Sequence, residues 1–115
     1  MANWKTALEK EFQLAADARA RGNEGQARVC ARRAAGIAIR EHLARRGMKP
    51  TSPSAYELLK SLLFMPGLPA EARQAAEFLT LRVNDDFDLP VAVDLVEQAR
   101  ILCDCLLDEN HPLWS

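Results

Sequence analysis

Apolar residues return at every third or fourth position along most of the chain, the period of a helix that buries one face. Leu8, Phe12, Ala15, Ala16 and Ala18–Arg19 mark out a first helix over about 4–21, which Gly22 stops. Asn23, followed three residues later by Gln26, reads as a capping box that opens a second helix. That helix runs to about residue 46, where Gly47 ends it and Pro50 prevents its resumption. So short a turn forces the first two helices into an antiparallel hairpin.

The second helix carries Ala27, Ala31, Ala34 and Ala38 along one line, and small side chains let a neighbouring helix approach closely. Ile37, Ile39 and Leu43 add bulk on two flanks. The pattern predicts a central helix packed on more than one side, with Arg28, Arg32, Arg33 and Arg40 on the remaining surface. Residues 48–53 read as a loop. Ser54-Ala-Tyr-Glu57 is another capping box, and Leu58, Leu59, Leu62 and Leu63 give a third helix its apolar face.

Pro66-Gly67 ends that helix. Pro69 suits the first turn of a fourth, which runs to about residue 83 with Ala72, Ala75, Ala76 and Leu79 inward. An acidic loop, Asn84-Asp-Asp-Phe-Asp88, follows, and Asp88 and Pro90 open a fifth helix. Val91, Leu95, Ala99, Leu102 and Leu106 form its stripe, widened by Val96, Cys103 and Leu107, while Asp94, Glu97, Arg100, Asp104 and Asp108 take its outer face. The tail past Glu109 is irregular. The chain therefore reads as one all-α domain over residues 1–115, an antiparallel bundle of about five helices. Trp4, Trp114 and the alanine face are its candidate contact surfaces.

Composition changes this picture little: 49% apolar and 27% charged residues are those of an ordinary globular domain. No stretch approaches the ~18 apolar residues of a membrane span, and the polar start is not that of a secretory signal. Cys30, Cys103 and Cys105 are odd in number, and the last two point about 200° apart on a helix, which suits neither a disulfide nor a shared metal. They read as reduced, buried thiols of a cytoplasmic protein. Charge is uneven. Residues 1–50 hold eleven Lys/Arg against five Asp/Glu, and residues 51–115 hold four against eleven. Such asymmetry can signal a basic binding face. But no aromatic residues interleave with the basic ones as single-strand binding would want, so the two halves are expected to neutralise each other across the bundle or a dimer interface.

Chemical motifs are sparse. His42 and His111 have no metal-ligand spacing. The run Asp85-Asp86-Phe87-Asp88 lacks the glycine and terminal glutamate of a calcium loop. Neither a metal nor a cofactor is expected. Glu41 and His42 are helix neighbours that diverge by about 100°, which makes no acid–base dyad. His42 is read as a surface or interface side chain.

Several pieces taken in order carry a resemblance. They are Trp4…Ala7…Ala15…Ala18-Arg19…Gly22, then Cys30-Ala-Arg-Arg-Ala-Ala-Gly-Ile-Ala-Ile-Arg40, then Ser54-Ala-Tyr-Glu-Leu-Leu-Lys-Ser-Leu-Leu63, and finally Arg82-Val-Asn-Asp-Asp ahead of a last amphipathic helix. Across about 4–107 this order and spacing resembles the HEPN family, small helical domains of prokaryotes. The resemblance implies protomers paired through their central helices, a groove for a nucleotide or RNA, and a small nucleotidyltransferase as a frequent partner.

Many HEPN proteins are metal-independent ribonucleases with an Arg-x4-6-His motif. Arg82 stands at the arginine's place, but Val83 follows it, and Phe87, Asp88 and Leu89 stand where the histidine belongs. Without an imidazole no group there titrates near neutrality to move a proton on an RNA 2′-hydroxyl. Gly36 also replaces the family's central-helix glutamate. The expectation is a non-catalytic binding domain, homodimeric or beside a partner. Arg33, Arg40 and Arg82 are its candidate phosphate contacts, with Asp85 beside Arg82 in the same candidate site, since guanidinium suits phosphate bidentately. Asp85 or Asp86 could equally serve only to pair Arg82. The alternative is a tetratricopeptide-like module of helical hairpins, a monomer with an exposed groove and no nucleic-acid binding. A third reading is an enzyme assembled between subunits; it has only Arg82, the acidic loop and His42 to work with, and nothing orients them together.

Overall fold

The computed structural model describes residues 4–50, 53–81 and 93–107. They form five helices: α1 (Trp4–Ala20), α2 (Glu24–Arg45), α3 (Ala55–Leu62), α4 (Ala70–Leu79) and α5 (Leu95–Leu107), with no strand among the described residues. The all-α bundle is as expected. The acidic loop 84–88, the positions of Val91 and Asp108, and the tail with His111 and Trp114 lie outside the described residues.

The first hairpin follows the local signals. Gly22 and Gly47 take left-handed φ of 76° and 70° after α1 and α2, a conformation that costs a residue without a Cβ little. Asn23 Oδ1 accepts the Gln26 N–H at 3.1 Å, and Ser54 Oγ accepts the Glu57 N–H at 3.4 Å at the head of α3. Each satisfies one of the donors that a helix start leaves without an intrahelical partner.

Helix α2 is the centre: α1, α3 and α5 pack on it, and α4 closes on α3 and α5. Ala27, Ala31, Ala34, Ala35 and Ala38 are fully buried there. Gly36 marks the closest approach of α3, because a Cβ built on it would lie 3.0 Å from Ala55 Cβ. The other side of the core is leucine: Leu58, Leu59, Leu62, Leu79, Leu95 and Leu102 are all 1% exposed or less.

Three boundaries differ from the sequence reading, each for a visible reason. α4 ends at Leu79 rather than near residue 83. Thr80 Oγ1 donates to the Glu77 carbonyl at 2.8 Å, and Arg32 reaches across from α2, its Nε donating to Leu79 O at 2.9 Å and its Nη2 to Leu81 O at 2.6 Å. A side chain from another helix thus takes up carbonyls that a further helical turn would have used. α5 begins at Leu95, and its cap is Asp94, not Asp88: Asp94 Oδ1 accepts the N–H groups of Val96 and Glu97 at 3.0 and 3.2 Å. α3 stops at Leu62, ahead of Pro66, and Arg73 of α4 donates to the Leu63 and Met65 carbonyls beyond it.

His42 corrects another expectation. It is buried, 3% exposed, on the side of α2 that meets α5, with a hydrogen bond to the Leu106 backbone. Likewise the alanine face is consumed inside the bundle and offers no contact surface. Of the four arginines assigned to the surface of α2, only Arg33 is exposed; Arg28, Arg32 and Arg40 are half-buried.

Candidate functional site on the exposed face of the central helix

Positions 29, 33, 37, 40 and 44 of α2 fall three or four residues apart, so they share the face opposite the buried alanines. Val29 is 39% exposed and the Arg33 side chain 54% exposed, while Ile37 and Arg40 are half-buried. This is an unusual face for a helix otherwise buried along its length. Its residues alternate apolar and cationic where a solvated helix face would be polar throughout.

Beside that face, Ile37, Arg40, Glu41 and Ala44 join Trp4 and Ala7 of α1 and Pro50 to line an apolar groove of about 410 Å³. The groove is made by the α1–α2 hairpin, whose short turn keeps the helices side by side, and by the chain turning back after Gly47. Arg45 holds its end. Its guanidinium lies 5.3 Å from the Trp4 ring, its Nε 3.4 Å from Glu41, and its Nη1 donates to Leu107 O at 3.3 Å.

The two cations on the face are held loosely or by neutral groups. Arg33 Nη1 lies 3.9 Å from Glu11 Oε1, an ion pair beyond hydrogen-bonding distance. Arg40 Nη2 donates to the Pro53 carbonyl, which carries no formal charge to offset it. The structure therefore brings Arg33 and Arg40 onto one face, seven residues or about 10 Å apart along the axis. Arg82 and Asp85, the other two sequence-derived candidates, lie outside the described residues. Sequence reasoning picked out Arg33 and Arg40 but not Val29, Ile37 and Ala44 as their companions. The available signal was that these three fall off the alanine line.

Other reactive groups are withdrawn from solvent. Cys30, Cys103 and Cys105 are free and buried. Burial pushes the Cys103 thiol up to about 12, so it carries no thiolate at neutral pH. Burial first, and the positive charge of Arg46 next, lower the His42 pKa, leaving a neutral imidazole. Among the described residues no cluster of three histidine, cysteine or carboxylate side chains could hold a metal. Nor is any described helix long and apolar enough to cross a membrane.

The second charged cluster is at the opposite end of α1. Arg19 donates to both Glu24 and Asp94, and this pairing holds the Asp94 carboxyl below the usual carboxylate range. It ties the α1–α2 turn to the cap of α5, a structural use of all three side chains. No family model, curated protein or solved structure matches the chain.

Proposed function

We propose that this chain is a non-catalytic, HEPN-like binding domain that engages a protein partner through the exposed face of α2. The observation that carries the reading is the sharing of that face by Arg33 and Arg40 with Val29, Ile37 and Ala44, beside the groove under Trp4. Arginine among apolar residues is the composition of a protein–protein contact, whereas charged residues alone are not.

Gly36 supports the non-catalytic part. The family usually carries a glutamate at the corresponding place, and here a Cβ alone would already lie 3.0 Å from Ala55 Cβ of α3. A second copy of the chain and a small nucleotidyltransferase are the partners that the family resemblance implies, and it implies pairing of protomers through the central helix that carries this face. Nucleotide or RNA binding is the second reading. It is favoured by the exposure of Arg33 but weakened by the carbonyl that already occupies Arg40.

The test is capture of the tagged chain with bound material from lysate, with and without nuclease, repeated for the R33E/R40E variant. The face-binding reading expects a nuclease-resistant protein partner or self-association, lost in the variant. Nuclease-sensitive RNA lost in the same variant would establish the second reading instead. Binding unchanged by the variant would sink both.

A further inference from the structure

Helix α5 presents an exposed stripe that mirrors the α2 face in spacing and opposes it in charge. On α2, Arg33, Ile37 and Arg40 stand at i, i+4 and i+7; on α5, Glu97, Ile101 and Asp104 stand at the same offsets. Glu97 and Asp104 are exposed and Ile101 is half-buried, while on the α2 face Arg33 is exposed and Ile37 and Arg40 are half-buried. The one cation within the α5 stripe, Arg100, is laid over the Phe12 ring of α1 at 4.3 Å, so its charge is turned toward α1. On the α2 side Glu41 is paired with Arg45, while Glu11 lies 3.9 Å from Arg33, beyond hydrogen-bonding distance, and does not hold that guanidinium.

We infer that the partner of the α2 face is the α5 stripe of a second copy of this chain. With the two helices antiparallel, Arg33 meets Asp104 and Arg40 meets Glu97, since both pairs are seven residues apart. Ile37 and Ile101 fall between them within one residue, about 1.5 Å along the axis, of each other. The α2 and α5 helices of one chain already pack together through their buried sides, so their exposed stripes look outward in different directions. One copy cannot satisfy its own stripes. The contact is therefore heterologous, head to tail, and extends beyond two chains unless the rotation closes a ring. The uneven charge along the sequence gains a use: the basic half of one copy faces the acidic half of the next, which selects this pairing over basic face on basic face.

This inference rests on the α2-face reading, and its test separates the two. The mass of the purified chain is followed by light scattering across a concentration series at low and high salt, with helicity checked for each variant. The expected result is a mass that rises with concentration above the single-chain 12.8 kDa and falls back in high salt. R33E/R40E and E97K/D104K should each stay at single-chain mass. Mixed in equal amounts they should associate again, because the wild-type stripes of the two variants pair one way and the two reversed stripes pair the other. The fourfold charge-swapped variant should regain self-association, which excludes misfolding as the cause of loss.

A wild type that stays monomeric throughout would overturn the inference. So would association that survives E97K/D104K: if R33E/R40E still abolished it, the α2 face would stand and its α5 partner would fall. Association that survives both variants would overturn the α2 reading too.

Discussion

The α1–α2 seam and the α3–α4–α5 seam are held together by different physics. In the first, the fully buried side chains are Ala15 and Ala18 of α1 and the alanine line of α2, while Trp4, Leu8 and Phe12 are only half-buried. In the second, seven leucines across three helices are buried to 2% exposure or less: Leu58, Leu59, Leu62, Leu79, Leu95, Leu102 and Leu106. An alanine methyl removes little apolar area from water, and a leucine removes about 1.5–3 kcal/mol worth. The alanine seam instead lets backbones approach closely, and polar ties run from α2 to the elements on its other sides: Arg32 to the end of α4, Arg40 to Pro53 and Arg45 to Leu107. One region is stabilised by transfer of area, the other by close fit, so they should fail in opposite ways.

The largest expected effect is truncation on the leucine side. Leu102→Ala should destabilise the fold by roughly 2–5 kcal/mol, read from denaturant midpoints at constant slope, since Leu102 is wholly buried where α5 meets the core. On the alanine side the sensitive change is enlargement. Ala31→Leu should cost about 1–3 kcal/mol by forcing α2 from its neighbours, whereas Ala44→Leu on the exposed face should cost little. If Ala31→Leu were tolerated, the close-fit account of the seam would be wrong. A smaller effect is expected for Arg32→Met, which keeps the stem and removes the donors to Leu79 O and Leu81 O. The loss should be about 1–3 kcal/mol, with amide exchange accelerated first at the end of α4 rather than across the bundle.

This division also explains what could be read in the sequence. Local signals sufficed wherever the determinant is local: the helix period, glycine after α1 and α2, and the caps at Asn23 and Ser54. They misplaced the end of α4 and the start of α5, where the decisive partner comes from elsewhere in the chain. Arg32 is 47 residues from the carbonyl it takes at Leu79, and Asp94 is held by Arg19 across 75. The sequence reading of His42 as a surface or interface side chain followed from its lack of a local partner, Glu41 diverging from it, while its position on α2 turns it toward Leu106. Of the candidate site, the arginines were legible from residue type. Their companions Val29, Ile37 and Ala44 were not, because an apolar residue on a helix is first assigned to a core. Only the three-dimensional neighbours of α2 show which of its faces is left over.

His42 lies where the two seams meet, on the alanine-lined helix and against the leucine-rich one, and its titration gives the smallest but most local test. Burial and Arg46 lower its folded-state pKa below the ordinary 6.5, more than the Leu106 backbone bond raises it. Below pH 6.5 the unfolded chain therefore takes up a proton that the folded chain does not. Stability from this residue is complete above the unfolded pKa and declines as the pH falls from there toward the lowered folded value. Asp94 titrates lower, because Arg19 depresses a carboxylate whose ordinary value is 3.8, so its contribution is lost only in more acid solution. Melting temperatures of wild type and His42→Gln, compared from pH 8 to pH 5, should converge as the pH falls, since the variant has no proton to take up. Curves that stay parallel across that range would mean that His42 titrates alike folded and unfolded. Its ring would then not be sealed between the two seams.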